Sequence, residues 1–117
     1  MIDILQALNQ APGIKGSMIV TEDGLVVQED LGPTLDKETV SALSANIIMT
    51  TKRMISKLGW KTFKRYILSA AYGRIVLHDL NGPFLVVVTD MNIKVDQILI
   101  EIASAAKKFQ KKKQISG

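Results

Sequence analysis

The 117-residue chain contains no cysteine and a single histidine, His78. The first absence removes a disulfide framework, a thiolate nucleophile and any Cys-ligated zinc or iron–sulfur centre. The second leaves nothing from which to build a histidine cluster for metal. Long hydrophobic runs are missing too: the longest, Phe84 to Val88, falls far short of the ~20 apolar residues that span a bilayer. Met1 to Gln10 carries Asp3 but no basic residue, so it lacks the charged start of a signal peptide, and a cytoplasmic protein is the expectation.

Catalytic motifs are equally scarce. No G-x-x-x-x-G-K-[ST], H-E-x-x-H or G-x-S-x-G occurs. Gly13-Ile14-Lys15-Gly16-Ser17 has the wrong spacing for a phosphate loop and leads into a strand. The carboxylate pairs Glu22-Asp23 and Glu29-Asp30 are sequence neighbours, which point to opposite faces of a strand and do not converge on a substrate. His78 reads as a structural strand residue. The chain therefore presents no catalytic centre, no metal site and no cofactor site, and reads as a non-enzyme.

What is present suits one globular domain: 47% of the residues are hydrophobic, enough for a core at this length. The net charge of +4 is unevenly spread. Residues 1–40 hold seven acids and two bases, whereas residues 41–117 hold four acids and thirteen bases. Such polarity suits an acidic partner, a nucleic acid or an anionic membrane for the basic part, or else a solvated lysine surface. The densest basic run, Lys107 to Lys113, favours a helix C-terminal dipole and offers the one route to membrane contact.

Periodicity supplies the elements. Ile2, Leu5 and Leu8 predict a short helix ended by Pro12 and Gly13. Ile14–Thr21 and Leu25–Glu29 flank Asp23-Gly24, a hairpin signal because glycine accepts the positive φ of the turn. After a Gly32-Pro33 loop, Thr34 or Asp36 caps a helix over Lys37 to Leu58, stopped by Gly59. Strands follow at Phe63–Ala70, Arg74–Leu80 and Phe84–Thr89, the last apolar on both faces and so buried from two sides. A final amphipathic helix spans about Ile93 to Phe109. The order α-β-β-α-β-β-β-α predicts an α+β fold with a five-stranded, mostly antiparallel sheet and helices on both faces. The domain is placed at 1–109, with 110–117 a disordered basic tail.

The long helix carries the main functional signal. At 100° per residue Val40, Leu43, Ser44, Ile47, Ile48, Thr51, Met54, Ile55 and Leu58 form one stripe, taken as the core face. The opposite face presents Ala42, Ala45, Met49 and Ser56, with Lys52 and Arg53 at its sides. Small residues admit a close neighbour and methionine adapts to what packs on it, so this strip is a candidate protein contact. The strand that begins directly after this helix could pair with a second copy if it lies at a sheet edge, unless Lys64 and Arg65 guard it.

The segment from Pro12 to Val27, with Gly73-Arg74-Ile75-Val76-Leu77 and Gly82-Pro83-Phe84-Leu85-Val86-Val87-Val88, resembles Roadblock domains. The element order matches as well, and the likeness runs from about Met1 to Phe109. The helix after the last strand is more similar to the prokaryotic MglB-like branch of the Roadblock/dynein light chain superfamily than to its shorter eukaryotic members. The resemblance implies a homodimer in which the strand after the long helix pairs with its twofold mate. On this chain that strand is Phe63, Lys64, Arg65, Tyr66 and Ile67. It also implies that the outer helix face, Ala42, Ala45, Met49, Lys52, Arg53 and Ser56, contacts the dimer mate or a Ras-like small GTPase.

MglB-like members promote GTP hydrolysis by reorganising the GTPase's own residues, so the resemblance implies a GTPase-activating partner without catalytic groups of its own. Arg53 as an inserted arginine finger is the alternative. Two further functions stand beside this one. One is a dimerisation scaffold indifferent to nucleotide. The other is a nucleic-acid binder using Lys52, Arg53, Lys57, Lys61, Lys64 and Arg65, marked by affinity that falls steeply with salt. The resemblance places several of those bases near the dimer seam, which argues against the nucleic acid.

Overall fold

The computed structural model describes residues 1–116, and the side chains of residues 1–112. Its elements are α1 (Ile2–Leu8), β1 (Ile14–Val20), β2 (Val26–Leu31), α2 (Lys37–Ser56), β3 (Arg65–Ala70), β4 (Gly73–Asp79), β5 (Phe84–Thr89) and α3 (Val95–Ser116). The five strands form one sheet in the order β2-β1-β5-β4-β3, and every neighbouring pair is antiparallel. The expected architecture is therefore present, with the sheet wholly rather than mostly antiparallel.

β5 lies at the centre, as its two-sided apolar pattern requires. Leu85 and Val87 face α1 and α3, in a core with Leu5, Ile98 and Ile102. Phe84 and Val86 face the other way, against Val40 and Ile48 of α2 with Met18 and Val20 of β1. Successive residues of a strand alternate faces, so one run of six residues serves two cores.

Caps fix the ends of α2. Asp36 accepts hydrogen bonds from the Thr39 N–H (3.0 Å) and the Thr39 hydroxyl (2.6 Å), satisfying a first-turn donor. Those bonds hold its carboxyl below the usual carboxylate range. At the other end Gly59 has φ +81°. The Trp60 N–H donates to the Ile55 carbonyl (3.2 Å) and the Gly59 N–H to the Ser56 carbonyl (3.0 Å), the paired bonds of a Schellman closure.

Most element bounds shift by one or two residues, and three features depart further from the sequence reading. β3 begins at Arg65, so Phe63 and Lys64 precede the strand; Phe63 instead packs into the core beneath α2, its ring 5.1 Å from that of Phe84. In α1 the buried side chains are Ile4, Leu5 and Leu8, with Ile2 left outside. The supposed tail is helical: α3 continues through Ser116, and only Gly117 lies outside the described residues. Gln110 donates to the Leu80 carbonyl (3.4 Å), and the Lys112 ammonium bonds the Asp3 carboxylate at 2.8 Å.

Candidate functional site: the outer face of α2 and the β3 edge

The two edges of the sheet are unlike. β2 carries Gln28, Glu29 and Asp30, its register with β1 shifts between Ile19 and Val20, and Asn9 after α1 donates to the Asp30 carbonyl and carboxylate (2.7 and 2.8 Å). Charge, a bulge and a covering element are the usual protections of an edge. β3 has a regular register from Arg65↔His78 to Ala70↔Gly73 and no bulge. Beyond Arg65 it has no charge, and Ile67 and Leu68 stand exposed on opposite faces.

α2 does not cover the sheet out to that edge. Its buried side chains meet β1 and β5, with Leu77 of β4. Met54 is 61% exposed and Leu58 64% exposed, with Leu43 and Trp60 also exposed. Assigning Leu43, Met54 and Leu58 to the core face was therefore wrong: the apolar stripe of α2 is wider than the sheet beneath it. An apolar shelf results, running from the flank of α2 to Leu68 of β3.

The six helix residues singled out from the sequence divide into two groups. Ala42, Met49, Arg53 and Ser56 lie on the outward face, Met49 with 64% of its surface exposed. The Ser56 hydroxyl donates to the Arg53 carbonyl (2.6 Å), within the helix itself. Ala45 and Lys52 turn instead toward the β1–β2 hairpin. Lys52 reaches the Glu22 carboxylate at 2.6 Å, and Ala45 lies under Gly24. Of the five strand residues, Arg65, Tyr66 and Ile67 are in β3, while Phe63 and Lys64 are not.

The sequence reading overlooked Trp60 and misplaced Met54 and Leu58. A residue just after a helix-ending glycine has no periodic pattern to flag it, although an exposed tryptophan is itself a contact signal. The six bases of the nucleic-acid reading are not gathered into one stripe. Lys52 is bonded to Glu22, and Lys64 lines the opposite side of the sheet beside α3. Among the described residues no helix is long and apolar enough to cross a membrane, and no three His, Cys, Asp or Glu residues are grouped to hold a metal ion.

Comparison with known proteins places this architecture. The Roadblock/LC7 domain profile matches residues 2–90. The uncharacterized protein MJ1340 of Methanocaldococcus jannaschii is 33% identical over 111 residues, covering 94% of this chain and 97% of its own. Among solved structures, MglB of Myxococcus xanthus superposes with a TM-score of 0.85 at 16% identity, over 96% of this chain and 93% of that one. An MglB with a tetrameric arrangement gives 0.81 at 15% identity, over 92% and 82%. At such identities the two structures speak for the fold. With the profile and the relative they make the chain a member of the Roadblock/LC7 family.

Proposed function

We propose that this chain is a homodimeric regulator or scaffold of a Ras-like small GTPase, without catalytic groups of its own. In this reading β3 pairs with β3 of a second copy, and the two α2 helices come side by side over the joined sheet. The observation that carries it is the β3 edge: regular, uncharged beyond Arg65, apolar on both faces and continuous with the bare flank of α2. A second copy supplies both missing things at once, backbone partners for the strand and a cover for Met54, Leu58 and Leu68.

The outward residues Ala42, Met49, Arg53 and Ser56 then form the docking face for the GTPase, with Ala45 and Lys52 fixing the helix to the hairpin behind it. The family resemblance supplies the class of partner. The face itself suits a protein: a small-residue floor, an adaptable methionine and a flanking arginine.

The test is a pull-down from the native cytoplasm in GDP or in a non-hydrolysable GTP analogue, with Met49→Glu as the control bait. Recovery of a small GTPase in one nucleotide state, lost with the variant, supports the regulator. Partners recovered equally in both states would replace it with the nucleotide-indifferent scaffold, and no GTPase in either state would overturn the choice of partner.

A further inference from the structure

On the face of the sheet opposite α2, an open cleft of about 630 Å3 lies between the end of β4 and α3. It exists because α3 presents Ala103 and Ala106 there, side chains too short to fill the space. Its charged lining is two cations, Lys64 and Lys107, against one carboxylate, Asp79, with His78, Asn81, Ser104 and Gln110 as neutral polar groups. Lys64 comes from the segment before β3, His78 from β4, Asn81 from the β4–β5 turn, and Ser104 and Lys107 from α3. The one carboxylate among the described lining residues, Asp79, accepts the Gly82 N–H on Oδ1 at 3.2 Å.

His78 sharpens the imbalance. Its Nδ1 is buried with no hydrogen-bond partner among the described residues. Burial of the ring, with the Arg65 charge and more weakly that of Lys64, lowers its pKa below the usual histidine value, Asp79 opposing. A neutral imidazole carries one proton. Placed on Nδ1, that proton would bury an N–H with no acceptor, so it belongs on Nε2, which makes His78 one more donor. Two lysines, a histidine and a serine from different elements thus line one space of ligand size.

We propose that this cleft binds a small oxyanion, a phosphate or carboxylate group, held between the Lys64 and Lys107 ammonium groups and hydrogen-bonded by His78 and Ser104. An anion there offsets the net positive charge of the lining and accepts charge-assisted hydrogen bonds from the ammonium groups. The site lies on the other side of the sheet from the α2 docking face, so it stands or falls independently of the GTPase.

The experiment is an NMR titration of the full chain with inorganic phosphate or with acetate, each at ionic strength held constant with chloride. The expected result is a saturable shift of the His78 ring resonances and of the backbone amides lining the cleft, the amides being the readout in the His78 variants. Lys107→Glu should weaken it at least tenfold, and Lys15→Glu, on β1, should leave it unchanged. Lys107 is exposed, so that variant folds; His78→Phe should also lose binding, while His78→Gln, which keeps an N–H donor, should retain part of it. Response to phosphate alone, or to acetate alone, names the ligand group. A shift that chloride reproduces, one indifferent to Lys107→Glu, or no saturable shift with either anion overturns the proposal.

Discussion

Gly24 and Ala45 are packed so closely that a β-carbon on Gly24 would lie 2.7 Å from the Ala45 methyl. Gly24 also has φ +90°, a conformation glycine adopts at little cost. The contact pins the middle of α2 to the β1–β2 turn, and the Lys52–Glu22 ion pair at 2.6 Å joins the same two elements. Replacing Gly24 with Ala, or Ala45 with Leu, should destabilise the fold by about 1–3 kcal/mol through overpacking, with added backbone strain at Gly24. Urea unfolding checks this. An Ala45→Leu variant of native stability that loses its partner would put Ala45 on the docking face instead.

Met49 behaves differently because the fold leaves it outside. Met49→Glu should leave the urea midpoint unchanged while weakening GTPase binding by about 2 kcal/mol, roughly thirtyfold, since a charge is buried only at the contact. Titration calorimetry with the GTPase recovered in the pull-down gives the number. Unaltered affinity would move the docking face elsewhere.

Phe63 was read from the sequence as a strand-pairing residue, and the structure seats it against Phe84. Phe63→Ala should therefore cost about 2 kcal/mol of stability, less than for a fully buried ring because the residue is half-buried. Phe63→Leu should recover much of that loss. A variant with unchanged stability and only a dimerisation defect would return Phe63 to the edge.

The Asp36 cap gives a pH signature. Its carboxyl is held below the usual range by the Thr39 hydroxyl and N–H, so the folded pKa lies below the unfolded one. The stability it contributes is complete above the unfolded value and is lost as pH falls through the folded one. Asp36→Ala should thus unfold more easily than the parent at neutral pH, and the gap should close under acid. Urea midpoints at pH 7 and pH 3 test it; a gap constant with pH would assign the effect to packing.

The legible parts of this fold were those set by local chemistry. The bounds of β5 followed from its two-sided apolar run, the end of α2 to within two residues from Gly59, and its start from a cap left between Thr34 and Asp36, which the structure gives to Asp36. The parts missed depend on what lies across from a residue. Periodicity placed Met54 and Leu58 on the apolar side of α2, but only the sheet's extent shows that nothing among the described residues covers them. β3 starts at Arg65 because its pairing with β4 begins with Arg65↔His78, a register the sequence of β3 alone does not contain. For α3, apolar periodicity stopped at Phe109, the last buried apolar residue, whereas the helix continues on Lys and Gln, good helix formers, with Lys112 tied to Asp3. At the docking face, pattern alone put Ala45 and Lys52 beside Met49 without revealing the hairpin that takes them.

The measurement that tests the central claim most directly is sedimentation equilibrium of the chain beside Leu68→Lys and Met54→Glu, two variants at exposed positions. The account predicts a dimer for the parent at micromolar concentration, and for both variants dissociation to monomers that retain native circular dichroism. A monomeric parent, or a dimer that persists in both variants, would contradict it.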